Sequence, residues 1–224
     1  GDTSDEAGYA HLWRLDDASR AITLIPSGDW QDLTVDTAST TTPVNDGFAS
    51  SGYCTPQCSY DNVVASPPGH PDEVWLGGDA HYEEVPGFGN APNRAGGRVV
   101  MRSVDAGASF TEATIDSHPA ATPNRMGIHP DMHLIEFDPA TAAIAFLGSD
   151  GGVFRTNGTT TDRSSECAGR GLGAADLQYC QHWLNGVPTT LTDLNATLGT
   201  LQFQSVALGP NGDGQVIGGT QDNG

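Results

Sequence analysis

The chain has 224 residues, a mean hydropathy of -0.33 and a net charge of -19, from 28 acidic and 9 basic residues. This acidic excess argues against a nucleic acid or an anionic membrane as partner, because phosphate binding needs clustered cations. No apolar stretch approaches the roughly 18 residues of a membrane span, so no membrane insertion is expected. The 29 glycines and 14 prolines favour many short strands joined by tight turns.

A unit of two short apolar strands separated by a proline turn occurs three times in the chain. Its copies begin at Asn62, His133 and Gln204, each 71 residues after the one before. The proline and the closing glycine keep the same spacing, at Pro68, Pro139 and Pro210 and at Gly77, Gly148 and Gly219. A repeated strand unit indicates a solenoid, a propeller or an array.

Read in chain order, the repeat predicts blades of four antiparallel strands. Residues 1–35 form a half blade, with a third strand at residues 9–14 and a fourth at 22–25. Residues 59–115 form a blade, residues 129–200 a blade with a long insertion, and residues 201–224 a half blade. The predicted fold is therefore all-β, a partial β-propeller of about three blades. One short helix is expected within residues 171–184.

The four cysteines form two local pairs, Cys54 with Cys58 and Cys167 with Cys180. Each pair closes a short polar loop, which predicts two disulfides and an oxidising compartment. A zinc site is the alternative, although these spacings differ from the usual Cys-x-x-Cys knuckles.

Residues 103–110 follow the pattern Ser-x-Asp-x-Gly-x-Ser-aromatic, which is typical of an Asp-box hairpin. Asp105 is expected to accept backbone N–H groups of the turn, and Gly107 to adopt a positive φ. Phe110 is expected to fill the space between strands. This motif predicts a structural role and no catalytic one.

With this motif, the chain resembles the BNR/Asp-box propeller superfamily. That superfamily includes sortilin-type ectodomains, xyloglucanase-type glycoside hydrolases and sialidase-like secreted bacterial proteins. The resemblance is carried by residues 54–62, 129–133, 148–155 and 218–224. It implies a propeller in the extracellular space or at the cell surface, whose remaining blades come from the parent polypeptide or from other chains. The arginine cluster and the Arg-Ile-Pro start of sialidases are missing, which argues against that activity.

The first strand of each propeller blade lines the central channel. Asn62, His133 and Gln204 occupy the same position of that strand, so we expect them to meet at the channel mouth. Tyr60 and His129 lie just upstream and complete the predicted binding set.

Three chemistries are open for the residues around His133. In an extended segment His129, Asp131 and His133 share one face, where they could hold a divalent cation, either calcium or a transition metal. They could instead hydrogen-bond neighbouring blades at the rim. Asp61 and Asp131, with His133, are the catalytic candidates, since inverting glycosidases use paired carboxyl groups.

Asp79, Asp150 and Asp222 follow the second strand in turns, where capping is the expected role.

Two functions follow from this sequence. One is a secreted, noncatalytic propeller that binds a glycan or a protein partner on its channel face. The other is a xyloglucanase-like glycoside hydrolase with paired carboxylates in the funnel. Exposed aromatic side chains on loops would support glycan stacking in either case, and the candidates are Trp30, Tyr82 and Trp183.

Overall fold

The computed structural model describes residues 11–33, 53–54, 58–59, 61–78, 100–114, 128, 131–197, 203–209 and 216–220. These residues form mainly antiparallel β-sheet, with one α-helix and a few short 3-10 helices. Within these ranges, no helix has both the length and the apolar character that a membrane crossing requires.

The first strands that the structure describes form a hairpin of β1 (Trp13–Leu15) and β2 (Trp30–Asp32). The predicted strand at residues 22–25 is wrong, because Ile22–Leu24 form a 3-10 helix and Ser27–Asp29 form a second one. Pro26 separates these two turns. It has no N–H to donate to a strand ladder, so the apolar run cannot continue as a strand.

The first four-stranded sheet contains β3 (Asn62–Ala65), β4 (Val74–Gly78), β5 (Val100–Ser103) and β6 (Thr111–Glu112). The strands are antiparallel and lie side by side in chain order. This is the meander that the repeat predicts for residues 59–115.

The second four-stranded sheet contains β7 (Met132–Asp138), β8 (Thr141–Ser149), β9 (Gly152–Thr156) and, after the insertion, β12 (Leu191–Asp193). The insertion carries β10 (Thr160–Thr161), a 3-10 helix at Ser164–Gly169, α1 (Ala174–Trp183) and β11 (Val187–Pro188). The expected helix within residues 171–184 is therefore confirmed.

After β12, a 3-10 helix at Asn195–Thr197 leads to a last hairpin of β13 (Phe203–Leu208) and β14 (Val216–Thr220).

The central strands of the first sheet, β4 and β5, are buried on both faces, and their successive side chains point to opposite sides. Trp75 and Val100 face the second sheet, where they pack with Met132, Ile135 and Leu147. Leu76 and Met101 face the opposite side and pack with Leu12 and Trp183. The two sheets meet face to face, and β7 lies against β3 and β4.

The insertion of the second sheet reaches around the edge of the first. Helix α1 and strand β11 lie against β6, the last strand of the first sheet. The indole Nε1 of Trp183 donates a hydrogen bond of 3.0 Å to Oε2 of Glu112, and both residues are fully buried. Trp183 therefore cannot stack on a glycan, and that expectation is wrong. The sequence alone does not show whether Trp183 is exposed or buried, because that depends on where the insertion packs.

Both predicted disulfides are present, Cys54–Cys58 and Cys167–Cys180. All four cysteines belong to the core that lies between the first hairpin, the first sheet and the insertion. A Cβ added to Gly78 would lie 2.7 Å from the Cα of Cys54. The first disulfide loop therefore packs directly on the end of β4, where only glycine leaves enough room.

The Asp box forms the turn between β5 and β6, as the sequence predicts. Asp105 Oδ1 accepts hydrogen bonds from the backbone N–H of Ser109 at 2.8 Å and from the Ser103 hydroxyl at 2.7 Å. Gly107 has a φ of +86° and Phe110 is buried. Burial raises the pKa of Asp105, but the hydrogen bonds from Ser109 and Ser103 outweigh it and lower the pKa overall.

Candidate functional site

An imidazole lies between two carboxylates where the first strands of the two sheets begin. His133 Nε2 is 2.7 Å from Asp150 Oδ1, and His133 Nδ1 is 3.3 Å from Asp61 Oδ1. Asp61 is fully buried, while the imidazole is 37% exposed. The imidazole is therefore partly accessible to solvent, and one of the two carboxylates beside it is buried.

The two sheets bring this cluster together because their first strands begin side by side. Asp61 comes directly before β3, and His133 is the second residue of β7. The register of β7 against β8 shifts between Met132 and Leu134. His133 lies at this bulge, and bulges often redirect a side chain next to functional sites. Asp150 follows β8 in the turn to β9.

Asp131 precedes β7 and has a φ of +63°. A positive φ is uncommon for residues other than glycine, and such backbone strain clusters at functional sites. Asp131 is half-buried, two residues from His133.

Asn62 turns toward the first disulfide loop. Its Oδ1 accepts a hydrogen bond of 2.5 Å from the Tyr53 hydroxyl, and burial raises the pKa of Tyr53 to about 12. Tyr53 therefore stays protonated and remains a donor throughout the neutral range. The side-chain oxygen of Asn62 thus fixes the start of β3 against the core.

The structure describes only some of the remaining residues predicted for the site. Tyr60 and His129 lie outside the described residues, as does the exposed-aromatic candidate Tyr82. Gln204 lies in β13 at the register shift between Phe203 and Ser205. The predicted meeting of Asn62, His133 and Gln204 at one channel mouth thus remains a prediction.

In the part of the chain that the structure describes, no group of three His, Cys, Asp or Glu side chains is arranged to hold a metal ion. The predicted metal set includes His129, so it lies partly outside those residues. Both ring nitrogens of His133 already face carboxylates.

Turn capping was the only role predicted for Asp150, and its contact with His133 was not expected. The chain does hold a signal for it. Asp79, Asp150 and Gln221 each follow the first polar residue of their copy by the same number of positions. Across a hairpin, a fixed spacing brings two positions opposite each other, as found for His133 and Asp150.

A small cavity of about 80 Å³ lies elsewhere, between the first sheet and the insertion. Its polar lining includes Glu73 and Arg102, joined by a salt bridge of 2.6 Å, and the edge of Trp75. Burial raises the pKa of Glu73, but its bonds to Arg102 and Trp75 outweigh this and lower the pKa overall. This pair thus holds the end of β5 to the start of β4.

The cluster of Asp61, His133 and Asp150 offers hydrogen-bond acceptors and donors at a sheet end. An imidazole can donate or accept at either nitrogen, and carboxylates accept from hydroxyl and amide groups. Comparisons with protein-family models, with curated proteins and with solved structures find no match to this chain.

Proposed function

We propose that this chain is part of a secreted β-propeller of the Asp-box type. Two consecutive four-stranded meanders pack face to face, with their first strands adjacent, which is the relation between neighbouring blades. The Asp-box hydrogen bonds between β5 and β6 add independent support. The two disulfides support an extracellular location, since such bonds persist in oxidising compartments.

We further propose that the propeller binds a glycan or a protein partner without catalysis, at the face where Asp61, His133 and Asp150 meet. The observation that carries this is the imidazole between the two carboxylates. Hydrolysis of a glycosidic bond needs an open space between two carboxyl groups, where the sugar and the water react. Here His133 fills the space between Asp61 and Asp150, so these carboxylates are arranged to hold the ring.

One observation favours the hydrolase as the second candidate. Asp131 lies beside His133 with a strained backbone and supplies a further carboxylate at the same strand end. If Asp131 and Asp61 were the two catalytic carboxylates, His133 would position one of them.

The test is a binding and hydrolysis screen with soluble polysaccharides, run with the whole chain. We expect the wild type to bind at least one polysaccharide and to release no reducing sugar. His133→Ala should weaken that binding about tenfold, because it removes the group that both carboxylates hold. His70→Ala is the matched control, since His70 is an exposed histidine in the turn between β3 and β4.

Two results would reject this proposal. Release of reducing sugar that Asp131→Asn abolishes would replace it with the hydrolase. Unchanged binding in His133→Ala, with the fold intact, would place the binding site elsewhere.

A further inference from the structure

The hairpin of β1 and β2 has two faces of different character. Its register pairs Trp13 with Asp32 and Leu15 with Trp30. Because side chains alternate along a strand and paired residues point the same way, these four share one face. We call this set, with His11, the tryptophan face.

The opposite face of the hairpin is used for packing. Leu12 is buried there, and a Cβ added to Gly107 would come within 2.7 Å of Leu33 Cδ1. Arg14 Nη1 donates a hydrogen bond of 3.1 Å to the carbonyl oxygen of Ala106. This face therefore lies on the Asp-box turn, on the side of the hairpin opposite the two tryptophans.

The tryptophan face leaves both indoles open. Trp13 is 48% exposed and Trp30 is 38% exposed, whereas Trp75 and Trp183 are 3% and 0% exposed. Their register makes the two indoles diagonal neighbours, roughly 7–8 Å apart at the backbone. His11 stacks on Trp13 at 6.0 Å between ring centroids. The side chains are therefore arranged as a flat aromatic surface.

Polar groups at the tryptophan face hold this surface in place. His11 Nδ1 lies 2.7 Å from Asp32 Oδ2, which fixes the imidazole beside the indole. Next to Trp30 in the chain, Asp29 accepts a hydrogen bond of 2.5 Å from Arg20, which pairs it with a cation. The carboxylates of Asp32 and Asp29 lie at this face, and carboxylates accept hydrogen bonds from hydroxyl groups.

The size of the surface decides what kind of partner it suits. From the 48% and 38% exposures, the two indoles offer about 200 Å², taking roughly 250 Å² for a whole tryptophan. A stable protein interface needs about 800 Å² on each partner. The two indoles alone cover only a fraction of that area, and their size matches the flat face of one or a few sugar rings.

Charge narrows the partner further. The chain carries a net charge of -19, and the carboxylate of Asp32 lies on the tryptophan face. Anionic polysaccharides and anionic membranes would be repelled. A neutral polysaccharide would be accepted, since its C–H faces stack on indoles and its hydroxyls donate to carboxylates.

We propose that the tryptophan face is a binding platform for a neutral polysaccharide, separate from the cluster around His133. The inference rests on the proposed function in one respect, that the partner is a glycan. It adds a second contact surface on another part of the molecule.

The experiment uses tryptophan fluorescence, because only two of the four tryptophans are exposed. The whole chain is titrated with xyloglucan, galactomannan, arabinoxylan and soluble starch in the presence of acrylamide. We expect at least one of them to protect the emission from quenching. Trp13→Ala and Trp30→Ala should each weaken binding about tenfold, as truncation of a central aromatic contact does.

Leu24→Ala is the matched control. Leu24 is 68% exposed and lies in the same hairpin, between the strands. A general apolar docking surface would be weakened by this change, whereas stacking on indoles would not. We expect Leu24→Ala to bind the polysaccharide as the wild type does.

The outcomes separate the two proposals. Wild-type binding that both tryptophan variants retain and His133→Ala loses would overturn the platform and leave the proposed function standing. No binding to any of the polysaccharides would overturn the platform together with the glycan form of the proposed function. Protection by phosphatidylcholine vesicles, or by self-association of the protein without sugar, would also overturn the platform.

Discussion

The Asp box gives the most direct test of the structure, through replacement of Asp105 by alanine. Asp105 accepts three hydrogen bonds, from the N–H of Ser109 at 2.8 Å, from the Ser109 hydroxyl at 2.6 Å and from the Ser103 hydroxyl at 2.7 Å. Each is worth about 1 kcal/mol net, because the freed donors can turn to water. Asp105→Ala should therefore lower the free energy of unfolding by roughly 2–3 kcal/mol.

Asp105→Asn is a sharper variant of the same test. An amide oxygen can still accept from Ser103 and from the N–H of Ser109, so the cost should be about 1 kcal/mol or less. Asp72→Ala is the control, since Asp72 is an exposed aspartate on a neighbouring turn. It should stay within about 0.5 kcal/mol of the wild type.

Urea unfolding at pH 7, followed by circular dichroism, measures all four proteins. The pKa of Asp105 is lowered in the fold, so its stabilising effect is present at neutral pH and is lost as the pH falls below about 4. The difference between wild type and Asp105→Asn should shrink accordingly at low pH. A cost of Asp105→Ala no larger than that of Asp72→Ala, or a difference from Asp105→Asn that grows in acid, would contradict the role given to these hydrogen bonds.

Two further predictions concern the core between the first sheet and the insertion. Replacing Cys167 and Cys180 by alanine should cost about 3 kcal/mol of unfolding free energy in urea titrations, and replacing Cys54 and Cys58 about 2 kcal/mol. The cost is larger for Cys167–Cys180 because this disulfide closes the longer loop, and the opposite order would contradict this. Burial lowers the pKa of His182, and this effect outweighs the raising effects of Asp105 and of the Phe110 backbone. The free energy of unfolding should therefore fall as the pH drops below about 6.5, by at most about 1.4 kcal/mol per pH unit. His182→Gln should lose less stability than the wild type between pH 7 and pH 5, and an equal loss would rule out His182 as the cause.

Local features of the fold could be predicted from the sequence, and features that depend on distant contacts could not. The two disulfides and the Asp-box turn involve residues close in the chain, so spacing alone indicates them. The prediction of a strand at residues 22–25 was wrong because a short apolar run is compatible with either a strand or a turn. Pro26, which has no N–H to donate, disfavours strand pairing here.

The candidate site was predicted in part. Asp61 and His133 were both named from the repeat, and the structure brings them within 3.3 Å of each other. Asp150 was not named for the site, because a turn aspartate beside glycine has a sufficient local explanation. His133, which Asp150 contacts, lies at the bulge at the start of β7. No local sequence pattern indicates this bulge.

The insertion has a consequence for the solubility of the protein. Helix α1 and strand β11 cover β6, and Trp183 satisfies the buried carboxylate of Glu112. If residues 157–189 were replaced by a tight turn, β6 would lose this cover and become an open edge. Glu112 Oε2 would lose the Trp183 donor, while Oε1 would keep its bond from the Thr114 N–H. Open edges pair with the edges of other molecules, and the result is aggregation. The insertion of the second copy therefore acts as a cover for the edge of the first sheet, so these two copies are not interchangeable modules.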